Sequence, residues 1–451
     1  MKTKIDRSGY LFSNKMLVAL ILPLIVEQFL AVLVGMADSM MIASVGEAAV
    51  SGVSLVDQIM VLFVALFSAL ATGGAVIAGQ YLGMQKEKEA CKAATQLVWF
   101  ITIIAVVVMG VIYLGKYLIL HVIFGPIDAD VRANANIYLL IVGASIPFVA
   151  LYNGGAAIFR AQGNSKISMR VSIIMNIINV GGNAILIYGL HCGTEGVAIP
   201  TLASRAFAAI AVTVLLLNPK YQLHIERSFR YKPNGRMIHR ILSIGIPNGL
   251  ENSMFQIGKI LVLSLVSSFG TYAITANAVG NAIATFEILP GVAIGLGMTT
   301  VIARCMGANQ IDQAKYYTKK LMTVTYMSVW LFNGITLLAL PLILKIYNLS
   351  DLTATTTTHL IILHSVMTMT IWPFAFTLPN TLRAAGDAQM TMWISIGSMW
   401  IFRIGCSFLL GRYLGWGVFG VWSAMMIDWF FRMIFMIWRY LSGRWKTKMI
   451  F

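Results

Sequence analysis

Runs of 18 or more mostly apolar residues recur from one end of this chain to the other. Each is long enough to cross a hydrocarbon core of about 30 Å as a helix. Only 11% of the 451 residues are charged and 58% are hydrophobic, where a soluble domain would carry about a quarter charged residues. The shortage of charge extends over the whole length, so one anchored globular domain is excluded. An all-α polytopic membrane protein is expected, with spans near 16–42, 51–80, 92–120, 130–158, 167–189 and 195–217, then 238–267, 275–303, 316–346, 355–382, 389–412 and 417–440.

The net charge of +16 is distributed as a membrane protein distributes it, which argues against nucleic acid as a partner. Lys86, Lys88, Lys92, Arg160, Lys166, Arg170, Arg304, Lys315, Lys319, Lys320 and Arg383 follow even-numbered spans, whereas the odd-numbered spans are followed by little beyond Arg132, Lys345 and Arg412. Lys2, Lys4, Arg7 and Lys15 make the amino end basic as well. Positive residues stay on the cytoplasmic side, so both termini and the even loops are expected there. The apolar run after the amino end is too long for a signal peptide. Residues 218–237, within the basic stretch "NPKYQLHIERSFRYKPNGRMIHR", are expected to link a six-helix lobe at 1–217 to a second at 238–451.

The two halves repeat. Pro23 aligns with Pro247, Glu27 with Glu251, Gly46 with Gly270, Gly83 with Gly307 and Ala90 with Ala314, each pair 224 residues apart; Arg160 aligns with Arg383 at 223. Both halves enter from the cytoplasm, which makes the repeat parallel, an arrangement typical of transporters with substrate sites between the units. The chain has no GxxxxGK[ST], HExxH or GxSxG motif, so neither an internal ATPase nor an intramembrane hydrolase is expected. Cys91, Cys192, Cys305 and Cys406 stand far apart without a CxxC pair and read as packing residues.

Ionisable and amide residues at membrane depth are functional candidates. Asp38, late in span one, Asn183, late in span five, and Thr201, early in span six, reach a similar depth. Asn176 and Asn179 precede Asn183 by seven and four residues and share its helix face. One carboxylate with amide and hydroxyl oxygens suits a hard cation, and the aspartate by itself suits a proton. The opposing reading makes the asparagines interhelical glue. Glu27 lies three turns before Asp38, about 16 Å along the axis, and reads equally as half of an ion pair. In span seven, Glu251, Gln256 and Lys259 could face a central cleft. Glu287 precedes Pro290 and reads as kink support or substrate contact. Arg403 and Asp428 are expected to pair, with Arg432 sharing the acid. Asp57 reads as an interface marker and His364 as a packing histidine before a proton relay. The 26 methionines add weak support for an adaptable apolar site.

With these residues in order, the chain resembles the multidrug and toxic compound extrusion family over nearly its entire length. The likeness rests on "GMADSMM", "RAQGNSK", "NIINVGGNAILIYG", "GTEGVAIPT" and "LRAAGDAQ" in their sequence and spacing. The resemblance implies a V-shaped pair of six-helix lobes that rock between two states. It implies H⁺ or Na⁺ entry driving export of small, cationic, amphipathic organic compounds from a bacterial plasma membrane, with no cofactor and a monomer in lipid. By position, Asp38, Asn179, Asn183 and Thr201 resemble the family's amino-lobe cation site. One branch tends to have an aspartate where Asn183 stands, which leaves the coupling ion open. Another carries acids where this chain has Phe255 and Trp372, so a carboxy-lobe cation site of that type is not expected, and Glu251 and Lys259 would have to supply any charge there. Val262 stands where the repeat would place a second Asp38. The alternative, a lipid-linked oligosaccharide flippase, should line its cleft with several arginines.

Overall fold

The computed structural model of the protein describes residues 9–226 and 232–448, which form helices and no strands. Lys2, Lys4 and Arg7 of the basic amino end and linker residues 227–231 lie outside the described residues. The long helices of the first half are α1 (Asn14–Ala43), α2 (Glu47–Gly83), α3 (Glu87–Leu114), α4 (Ala129–Gly143 with Ile146–Ala161), α5 (Ser165–Gly189) and α6 (Glu195–Leu216). Those of the second half are α7 (Gly235–Ser267), α8 (Thr271–Gly307), α9 (Ile311–Tyr347), α10 (Asp351–Thr370 with Pro373–Ala384), α11 (Ala388–Tyr413) and α12 (Gly417–Leu441). Each overlaps its expected span.

Among the described residues, nine helices are long and apolar enough to cross a membrane, or eleven when the bent α4 and α10 each count as one span. The remaining one, α7, has a polar middle with Asn248, Glu251, Asn252, Gln256 and Lys259. Its place in the repeat, opposite α1, makes it the twelfth. The bends of 46° in α4 and 62° in α10 fall at Pro147 and Pro373, where a missing N–H breaks the ladder. After Pro373 the chain runs through a π-helical turn, and α11 is π-helical over Met399–Gly405 and Ser407–Tyr413.

Contacts divide the chain into two compact units, each with its own core. The first comprises Leu22–Gly249, built around Val56, Phe67, Ile101 and Leu139. The second comprises the described residues up to Ile21 together with those from Leu250 onward, built around Val266, Leu360, Ile361 and Trp422. These boundaries differ from the expected 1–217, 218–237 and 238–451, for a local reason at each end. Before α1, the Leu11 N–H donates to Gln313 of α9 at 2.9 Å, and the Tyr317 hydroxyl both accepts from Phe12 N–H and donates to its carbonyl. The start of α7 lies on α2, where Gly73 allows backbone against backbone: a Cβ at Gly73 would stand 2.5 Å from the Ile241 carbonyl oxygen. The described linker residues also belong to the first unit. Gln96 of α3 donates to Lys232 O at 2.8 Å and accepts from Asn234 N–H, and Leu223 N–H donates to Gln162.

Filling that close approach tests the assignment of α7's start to the first unit. Gly73→Leu is expected to destabilise the purified protein by about 1–3 kcal/mol, the usual cost of overpacking, read as an earlier thermal transition in detergent. Gly110→Ala, where nothing lies within 4 Å of the added carbon, should be neutral or slightly stabilising.

Candidate functional site

In the first unit, α1, α5 and α6 bring Asp38, Asn179, Asn183 and Thr201 into one cluster. The Asn183 amide donates to Asp38 Oδ1 at 2.7 Å. The Asn179 amide stands between Asp38 and Thr201 and is compatible with either orientation. With its nitrogen toward the acid it donates to Oδ1 at 2.8 Å and Oδ2 at 3.2 Å, while its oxygen accepts from the Thr201 hydroxyl at 3.1 Å. Turned over, its nitrogen donates to Thr201, whose hydroxyl then donates to Val197 O at 2.8 Å. An ionised Asp38 requires the first orientation, because two acceptors cannot face each other. Asn179, Asn183 and Thr201 are buried, and the Asn183 carbonyl oxygen has no donor. Asn176 is buried on the same face with its amide nitrogen unpartnered, outside the cluster's hydrogen bonds.

The approach of α5 to α6 is set by small atoms. A Cβ at Gly182 would stand 2.7 Å from the ring of Pro200, so glycine there lets α5 come close enough to α6 for Asn179 to reach Thr201. Two further charged residues stand around the cluster, Asp57 and an arginine not anticipated from the sequence. Asp57 of α2 accepts from the Tyr138 hydroxyl at 2.9 Å, and Arg205 of α6 donates to Ser145 at 2.8 Å. Both lie within electrostatic range of Asp38. Arg205 follows Thr201 by one helical turn, a spacing that could have flagged it. Asp57 is thus part of this polar group rather than a marker of the interface.

Glu27 resolves as an ion pair. Arg160 of α4 lies 3.8 Å away, and Ser168 and Tyr152 donate to its two oxygens at 3.0 and 3.3 Å. The repeat reproduces this: Glu251 meets Arg383 at 2.7 Å. The partners are the same aligned positions, Glu27 with Arg160 and Glu251 with Arg383, so Glu251 answers to α10 and not to Lys259.

The second unit contains a cavity of about 340 Å³ lined by side chains of α7, α8, α10, α11 and α12. Its charged lining is four basic residues, Lys259, Arg383, Arg403 and Arg432, against one acid, Glu251. Four expectations change here. Arg403 does not pair with Asp428, which lies 3.6 Å from Arg432 and accepts from Ser398 at 2.5 Å. Instead the Arg403 guanidinium stands over the Phe255 ring, 5.3 Å from its centroid, with Lys259 Nζ at 5.1 Å from the same ring. The π-helical turn at Met399–Gly405 shifts the helix face, which a constant 3.6-residue period could not anticipate. Charge in this unit therefore comes from Arg383, Arg403 and Arg432 as well as Glu251 and Lys259. Glu287 is outside the cavity lining: fully buried, it is hydrogen-bonded to His364 and accepts from Ser365 at 2.5 Å. Its backbone carbonyl accepts from Asn333 at 3.2 Å, three residues before Pro290. His364 thus packs with a partner, and Gln256 is not among the lining residues.

The MatE family profile matches residues 23–185 and again 247–409. An uncharacterized transporter, YisQ, of Bacillus subtilis is 29% identical over 99% of this chain and 97% of its own length. A probable multidrug resistance protein, NorM, of Thermotoga maritima is 24% identical over 97% of this chain and 94% of its own. Among solved structures, an outward-facing multidrug resistance MATE family transporter superposes with a TM-score of 0.88 at 18% identity, covering 95% of each chain. The two profile matches start at Pro23 and Pro247, the first anchors of the internal repeat.

The repeated ion pair should behave as a buried one. Removing one partner of such a pair costs about 3–5 kcal/mol, while removing both costs far less. Arg383→Met is therefore expected to destabilise more than the double variant with Glu251→Gln, in a thermal-unfolding double-mutant cycle. Arg160→Met, whose acid keeps two hydroxyl donors, should lose less than Arg383→Met.

Proposed function

Because the chain belongs to the MatE family of multidrug efflux transporters, multi-pass membrane proteins that move small organic compounds, we propose that it is a secondary antiporter coupled through Asp38. The observation that carries this reading is the Asp38–Asn179–Asn183–Thr201 cluster: a carboxylate at membrane depth held by two amides, beside an asparagine oxygen with no donor.

Ionised Asp38 takes N–H groups from both asparagines. Protonation, or a Na⁺ placed against the carboxylate, removes the need for the Asn179 nitrogen and favours the turned amide. The Asn179 oxygen then faces the proton or cation, and the Thr201 hydroxyl returns to Val197 O. Loading thus exchanges one set of interhelical bonds among α1, α5 and α6 for another, and a ligand shifts a conformational equilibrium by such differential contacts. For Na⁺, Asp38, the Asn183 oxygen and the Asn179 oxygen are hard donors of the right kind. Pro23, one turn before Glu27, is the hinge we assign to α1. The positive loops after even-numbered helices support both termini lying in the cytoplasm, and export as the direction follows from the family resemblance. The cationic cargo implied by the resemblance finds little support in the second unit, where the acid lining the cavity is already held by Arg383.

The test is transport in vesicles carrying only this protein, with an imposed pH or Na⁺ gradient and both a cationic and an anionic dye as reporters. Asp38→Asn is expected to cut gradient-driven dye movement by at least about tenfold, within the usual range of coupling energies. Movement at the normal rate in that variant would remove Asp38 from the coupling role. A Gly182→Val change, which pushes α5 from Pro200, should weaken coupling without altering any donor atom.

A further inference from the structure

We infer that the cavity of the second unit is a binding site for organic anions with an aromatic body, held by Arg403 and Lys259. The inference takes its transport context from the antiport reading above and names the class of cargo.

Subtracting the ion pairs leaves charge over. Arg383 is matched by Glu251 at 2.7 Å and Arg432 by Asp428 at 3.6 Å. Among the described residues, no carboxylate lies within 4 Å of Arg403 or Lys259. Asp428, the acid electrostatically nearest to Arg403, already serves Arg432 and Ser398. Arg403 is only 7% exposed, lines the cavity, and among the described residues its guanidinium has no hydrogen-bond partner. Lys259, an exposed residue, has its Nζ 5.1 Å from the centroid of the same ring, Phe255. Charges at this depth are costly unless they are paired. An aromatic face contributes part of the compensation but leaves the five N–H donors of the guanidinium unused.

The donor geometry selects the partner. A guanidinium offers a planar fork that matches a carboxylate or phosphate edge, and an ammonium adds a point charge beside it. The remaining walls select the body. Trp372 and Phe376 are stacked with centroids 5.3 Å apart, and Phe376 meets Trp429 edge-on at 5.7 Å. Arg432 covers the other part of Phe376 at 4.7 Å. A volume of about 340 Å³ lies at the lower end of small-molecule pockets, roughly 300–1,000 Å³. An organic cation would meet the unmatched positive charge of Arg403 and Lys259, and a small inorganic anion would leave the aromatic walls unfilled.

The experiment uses purified full-length protein in a neutral detergent with carboxyfluorescein as the anionic aromatic probe, read by fluorescence anisotropy. Arg403→Gln should weaken binding by at least about tenfold, the loss expected when a charge-assisted bond is removed. Lys259→Gln should weaken it several-fold, Arg403→Lys should lose less than Arg403→Gln, and Lys345→Gln, an equal change in net charge at an exposed helix end, should leave it unaltered. Phosphatidylglycerol that displaces the dye in an Arg403-dependent way assigns the same anion site to a lipid headgroup; dye binding indifferent to it assigns the site to dissolved acids. Binding undiminished in Arg403→Gln and Lys259→Gln, or displacement of the dye by ethidium as effectively as by unlabelled aromatic acid, overturns the inference. Wild-type protein that drives ethidium with a gradient yet does not bind carboxyfluorescein removes the anion site and leaves antiport standing. Arg403-dependent dye binding without any gradient-driven transport does the reverse.

Discussion

Glu27 and Glu251 each stand one turn after a proline in the first helix of a repeat, and each meets an arginine from the fourth helix of that repeat. A carboxylate among hydrocarbon is stable only when a cation or several donors hold it. That requirement ties α1 to α4 in one unit and α7 to α10 in the other. Prolines break the backbone ladder of these helices next to the pairs, so the charged contacts sit beside the places where the helices can bend. The surrounding helices pack against these pairs, and the two polar sites lie further along the same helices, at Asp38 in α1 and Lys259 in α7.

From that shared frame the units diverge in charge. The first carries Asp38 in a shell of amides and a hydroxyl, with Asp57 and Arg205 in electrostatic range. The second has Val262 at the repeat position of Asp38 and gathers Arg403 and Lys259 about Phe255. One fold thus presents an acid-centred site and a base-centred cavity. The proposed assignments rest on ordinary electrostatics: a proton or hard cation at the first, an anion at the second. The Glu287–His364 pair, buried between α8 and α10 and closed by Ser365, joins helices that form the cavity's wall.

The agreement of helix ends with the apolar runs comes from a strong signal, since a bilayer demands about 20 consecutive apolar residues for each crossing. The Asp38 cluster was legible for a related reason: three asparagines at four- and seven-residue spacing must share a helix face, and depth can be counted from either helix end. Pairings across helices were less legible. Glu27 with Arg160 and Glu251 with Arg383 follow from the repeat once one contact is known, but sequence spacing does not say which face of α4 turns toward α1. The expected Arg403–Asp428 pair rested on the cost of an unpaired arginine at membrane depth, but Asp428 is taken by Arg432 and Ser398, and Arg403 stands over the Phe255 ring instead. Arg205 escaped notice although it lies one turn from Thr201.

By itself, the sequence determined the class of molecule: membrane-spanning helices, an internal repeat of six, and an Asp38 with no counterpart in the second half. These are properties of composition and period, which act locally along the chain. The tertiary structure decided which charges are neutralised and which are left over. That depends on side chains more than a hundred residues apart meeting at 2.7 and 3.8 Å, and on glycines such as Gly73 and Gly182 that let helices approach. It also decided where each unit ends, because the segment before Leu22 and the start of α7 join their units through packing rather than chain order. The unmatched Arg403 and Lys259 are visible only once the surrounding ion pairs are in place, because neutralisation is a property of the whole packed unit.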